Sequence, residues 1–113
     1  MFPHVSFIDD IDLLTITLPT LVRRESIPID KFDTLVLDTQ GSELLILRGA
    51  RDILRKFKFI KTEVADFESY EGCARPDEIK EFLFPYGLKE IARKTINSRS
   101  TGRYFEILFA SII

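Results

Sequence analysis

Tryptophan is absent from this 113-residue chain, cysteine and histidine occur once each, and no apolar run is long enough to span a membrane. Each scarcity closes a class of function. Cys73 alone cannot form an internal disulfide, so a reducing cytoplasm is the expected compartment. In "EGCARP" it has neither a histidine nor a second cysteine beside it, which argues against a catalytic thiol or a zinc ligand. His4, close to the start, is assigned no chemistry. "MFPHVSFIDDIDLL" has no basic leader and its aspartates interrupt any apolar stretch, so no signal peptide is expected. A formal charge of −2 gives no electrostatic reason for a nucleic-acid or anionic-membrane partner. Without repeats, low-complexity segments or a Gly/Ser linker, residues 1–113 read as one domain.

What is present suits a modest core. Hydrophobic residues make up 45% and charged residues 30%, with ten phenylalanines. That is ordinary for a globular domain but small for a complete nucleotide-cofactor enzyme. "LLTITL" (13–18) alternates apolar residues with threonine and predicts a half-buried strand. Pro19 opens a short helix over about 19–25. "DTLVLD" (33–38), with three successive aliphatic residues, predicts a central parallel strand covered on both faces. Ile46, Ala50, Ile53 and Phe57 then predict an amphipathic helix of about four turns, with Arg48, Arg51, Asp52 and Arg55 on its outer side. "FKFIKTEVAD" (57–66) is the next strand, and "FESYEGCA" a loop. Pro76, Asp77 and Glu78 start a helix that Pro85 and Gly87 close. Residues 87–96 and 103–113 are strands joined by "NSRSTG", a link that favours an antiparallel pair. The alternation defines an α/β fold, a mixed parallel sheet with one antiparallel strand and flanking helices.

Candidate chemistry gathers at the corner "DTQGSE" (38–43). Asp38 ends a buried strand at its carboxyl edge, where open α/β sheets place ligands. It could accept a proton from a hydroxyl or orient it, or it could cap the helix that starts near Ser42. Gln40 could contact a substrate or be a plain loop amide, and Gly41 permits a turn that a side chain would obstruct. Glu43 reads as a helix-start acid. Glu63, near the end of the next strand, could converge on Asp38, as an acid/base pair with split pKa values or as oxygen ligands for Mg²⁺. Two carboxylates are weak grounds for a metal, and none is assigned. Asp66, Glu68 and Glu71 read as solvated charge, and Tyr70 as a loop anchor or a wall for substrate.

"LVLDTQGSELLILRGA" (35–50) and "TEVADFESYEGCARPDEIKEFLFPYGL" (62–88) together resemble the C-terminal half of the FkbM family of S-adenosylmethionine-dependent methyltransferases. That family carries a strand, then Asp-x-Glu/Gln-Gly-x-Glu, then a helix ending near Leu-x-Gly-Ala. Asp38, Gln40, Gly41 and Glu43 fill the corner, and Leu47, Gly49 and Ala50 the helix motif. The resemblance covers about residues 13 to 110 and implies a Rossmann-like class I sheet. It further implies S-adenosylmethionine as cofactor and O-methylation of a sugar or small-metabolite hydroxyl. Asp38 would be the catalytic residue, with Gln40, Glu43 and Glu63 binding the acceptor.

There are departures. Pro19 follows Thr17 and Leu18 where the family often has an aspartate, and Gln40 stands where glutamate is commoner. The five glycines include no G-x-G pair, and no strand, Gly-rich turn and helix precede residue 33. The resemblance therefore implies a partial domain without its cofactor-binding half, cofactor-binding residues unknown, and no turnover by the isolated chain. The rival expectation is a non-enzymatic module that self-associates, or docks onto a complementary half, through an exposed sheet edge. "LLTITL" folding back over that edge is the other possibility.

Overall fold

The computed structural model describes residues 12–100 and 102–112; His4, Thr101 and Ile113 lie outside them. Its elements run α1 (Leu18–Arg24), β1 (Thr34–Leu37), α2 (Glu43–Gly49), β2 (Phe59–Ala65), α3 (Pro76–Leu83), β3 (Leu88–Arg99) and β4 (Gly102–Ser111). Short 3-10 segments at Ile29–Lys31, Arg51–Lys56 and Phe84–Tyr86 link them. The four strands form one sheet in the order β1-β2-β4-β3. β1 and β2 are parallel, and β4 is antiparallel to both β2 and β3. This is the expected mixed α/β sheet with flanking helices.

Register explains which side of the sheet becomes core. Leu35 pairs with Ile60 and Leu37 with Thr62, while Ile60, Thr62 and Val64 pair with Phe109, Ile107 and Phe105. These residues share one face, because side chains alternate along a strand. Against that face lie Leu44 and Leu47 of α2, Leu54 and Phe57 beyond it, and Ile79 and Leu83 of α3, in one buried cluster. Burying each such side chain contributes roughly 1.5–3 kcal/mol. The opposite face is open. Val36 is 63% exposed, and beyond it Lys61 forms an ion pair with Glu106.

Four expectations need correction. Residues 12–17 form no strand: Leu14 is fully exposed, and helix α1 starts at Leu18. Alternation alone cannot make a strand without a neighbour to pair with, and this segment covers no sheet edge. Instead, Thr17 caps α1 through the Thr20 N–H, and its side chain packs against Gly49. β1 is an edge strand buried on one face only. The long helix expected across residues 46–57 stops at Gly49, and the Ala50 and Ile53 amides close tighter i→i+3 bonds at 3.1 and 3.0 Å. Its apolar stripe and its exposed Arg48, Arg51, Asp52 and Arg55 are as the spacing indicates. The hairpin strands also extend further into "NSRSTG" than expected, to Arg99 and from Gly102.

Asp66 belongs to the frame of this hairpin and is not merely solvated. Its carboxylate accepts the Arg103 N–H at 2.7 Å, and its own N–H donates to the Arg103 carbonyl at 3.0 Å. Gly102 makes room for it. With φ +147°, a Cβ there would stand 2.3 Å from Asp66 Oδ1 and 2.6 Å from a Phe67 ring carbon. Gly102→Ala is therefore expected to cost about 1–3 kcal/mol from backbone strain alone, read by urea denaturation; wild-type stability would contradict this packing.

Candidate functional site

The corner after β1 is built around a buried carboxylate. Glu43, the first residue of α2, is only 5% exposed. One oxygen accepts the Thr39 N–H at 2.7 Å and the Thr39 hydroxyl, and the other accepts the Gly41 N–H at 3.1 Å. Hydrogen bonds to an ionised acceptor are the stronger kind, and they offset part of the cost of burying its charge. Ser42, at the N-cap position, makes no side-chain cap bond. The corner's free amides are thus bonded by Glu43 instead of the aspartate that helix-capping preferences suggest.

This clamp holds an unusual backbone. Gln40 has φ +57° and Gly41 φ +116°. A left-handed glutamine costs free energy that surrounding structure must supply. Gly41 is required for a second reason: a Cβ there would meet the Cβ atoms of Tyr70 and Cys73 at 3.1 and 3.3 Å. The corner therefore packs directly on the 66–75 loop. That loop is tied by the Cys73 N–H to the Tyr70 carbonyl at 3.1 Å and by the Arg75 guanidinium to the Cys73 carbonyl and sulfur at 3.2 and 3.4 Å.

Asp38 and Glu63 come from adjacent strand ends. The last parallel rung pairs Leu37 with Thr62, and Asp38 and Glu63 are the residues that directly follow it in the two chain segments. Glu63 registers the crowding. Burial first, then the charges of Asp38 and Glu43, hold its carboxyl above the ordinary value of 4.5.

All four sequence-derived site residues, Asp38, Gln40, Glu43 and Glu63, line one open cavity of about 200 Å³. Tyr70 is in its wall, whereas Glu68 and Glu71 are exposed and outside it. Sequence reasoning missed Asn97 and Tyr104, which reach the cavity from the hairpin. Their arrival depends on β4 lying beside β2, with Ala65 opposite Tyr104, and on a register shift between Thr95 and Asn97. No sequence spacing encodes that. Cys73 and Ser69, set aside as loop residues, also contribute. Among the described residues, no three His, Cys, Asp or Glu side chains are grouped to hold a metal ion. No helix among them is long and apolar enough to cross a membrane.

A parallel strand pair carrying two carboxylates, an acid-clamped turn and two tyrosines thus border one open cavity of a mixed α/β sheet. The chain belongs to the methyltransferase FkbM domain family, whose profile matches residues 3–92. Over 44 residues, 39% of this chain, it is 39% identical to the 2-O-methyltransferase NoeI of Sinorhizobium fredii (strain NBRC 101917 / NGR234), and the match spans 18% of that protein. No solved structure matches the chain.

Glu43→Gln replaces one acceptor oxygen with a donor facing another donor. It is expected to destabilise the fold by about 1–3 kcal/mol in urea denaturation, and a change below about 0.5 kcal/mol, the usual range for surface substitutions, would show that the clamp contributes little.

Proposed function

We propose that the cavity is the acceptor side of a methyl-transfer site, in a sheet segment equivalent to the last four strands of a Rossmann-like class I methyltransferase. The parent reaction is methylation of an oxygen, a hydroxyl of a sugar or other small metabolite. The observation that carries this reading is the convergence of Asp38, Gln40, Glu43 and Glu63 in one cavity at strand carboxyl ends, in a chain of the FkbM family. The β1-β2-β4-β3 order, with the last strand antiparallel next to the edge, supports the sheet assignment. The name of the partial relative, a 2-O-methyltransferase, supports oxygen as the acceptor atom.

In this reading Asp38 accepts the hydrogen bond of the acceptor hydroxyl, which fixes the oxygen and eases loss of its proton. Positioning contributes most of the rate and proton removal a smaller part. Glu43 acts through the corner it holds, Gln40 presents its amide at the rim, and Glu63 closes the second side. A single-cysteine chain suits a reducing compartment such as the cytoplasm.

S-adenosylmethionine is the cofactor that family membership suggests. The described residues do not fit all of it: a cavity of about 200 Å³ falls below the roughly 300–1,000 Å³ that enclose a drug-sized ligand, and no G-x-G turn is present. In this reading the adenosyl part is held by a segment outside these 113 residues. One observation favours a second reading, a non-enzymatic module that pairs with a copy of itself or with a complementary half. Among the described residues β1 has a neighbour on one side only, and Val36 is exposed on the open face.

Calorimetry and a methyl-transfer assay test the first reading. The isolated chain is expected to take up no S-adenosylmethionine at millimolar concentration. Transfer to a sugar hydroxyl is expected once a polypeptide carrying the Gly-rich half of an FkbM methyltransferase is supplied, and Asp38→Asn should lower it by about 10²–10⁴-fold. Turnover by the isolated chain, or reconstituted transfer unaffected by Asp38→Asn, would contradict it.

A further inference from the structure

The cavity has a one-sided charge. Among the described residues, no lysine, arginine or histidine lines it, whereas three carboxylates do. Three cations of neighbouring segments are engaged elsewhere: the Arg75 guanidinium bonds the Cys73 carbonyl and sulfur, Arg103 pairs with Asp66, and Lys61 pairs with Glu106. Of the three acids, Glu43 commits both oxygens to the corner. Asp38 and Glu63 remain as adjacent like charges facing the same space, with Tyr70 and Tyr104 as aromatic walls.

We infer that the cavity takes an acceptor carrying a protonated amine beside its hydroxyl groups, an amino sugar or amino alcohol, and discriminates against acceptors bearing a carboxylate or phosphate there. This rests on the acceptor-side reading above. An ammonium between Asp38 and Glu63 replaces one repulsion with two attractions, and its three N–H donors suit carboxylate oxygens. A neutral sugar gains hydrogen bonds without that charge term. An anion brings another like charge to a lining that, among the described residues, has no cation to meet it. The tyrosine walls can stack on the apolar face of a sugar ring in every case, so charge sets the ranking. In a partly open site, one such charge pair is worth on the order of tenfold in affinity.

The test is a titration of the ¹⁵N-labelled full chain with glucosamine, glucose and glucuronate at neutral pH and low ionic strength, followed by NMR. Shifts are expected at the Gly41, Tyr70 and Tyr104 amides, with glucosamine bound about tenfold more tightly than glucose and glucuronate weakest. Asp38→Asn, Glu63→Gln and high salt should each shrink that preference. Equal affinities, or glucuronate tightest, with shifts still at these residues would overturn the charge selection and leave the acceptor cavity standing. Shifts confined to other surfaces, or no saturable binding by any of the three, would overturn both.

Discussion

Everything at the candidate site depends on one buried carboxylate. Glu43 draws Thr39 and Gly41 onto its two oxygens, and that contraction turns the chain from the end of β1 into α2 within a few residues. The consequences propagate outward. Gln40 is held left-handed, Gly41 is pressed against Tyr70 and Cys73, and the 66–75 loop becomes the wall of a cavity. Asp38, one residue before the clamp, is left at the strand end beside Glu63. A turn fixed by neutral side chains could follow the same path, but it would carry less charge into the site. The acid thus serves the fold and the electrostatics together.

That electrostatic field registers on Glu63. Asp38 is exposed, whereas Glu63 is half-buried and its proton affinity is raised by burial and by its acidic neighbours. The sheet makes the pairing possible, because parallel neighbours bring equivalent strand ends together whereas antiparallel neighbours alternate them. β4, inserted antiparallel, brings Tyr104 to the same rim from the opposite direction.

Much of this was legible in the residues, and the failures are instructive. "DTLVLD" and "FKFIKTEVAD" read as parallel strands because successive aliphatic residues need burial, and Pro76 marked the start of α3 because its ring suits a first helical turn. The corner "DTQGSE" stood out by composition, and all four candidate side chains do share a cavity. The destination of Glu43 was not legible. A helix-start acid and a backward clamp have the same sequence, and only the path of residues 39–41 distinguishes them. "LLTITL" misled for a related reason: alternation specifies a face, while a strand also needs a hydrogen-bonding neighbour. Asn97 and Tyr104 were missed because hairpin register and bulges, set by packing against β2, bring them to the rim.

The central claim is that Asp38 and Glu63 face the same cavity closely enough to feel one another's charge. Site-resolved ¹³C titration of the Glu63 carboxyl, in the wild-type chain and in Asp38→Asn, tests it most directly. Removing the Asp38 charge is expected to lower the pH at which Glu63 titrates, toward but not down to its ordinary value, because burial persists. An identical Glu63 titration in the two chains would mean that the carboxylates do not share a site.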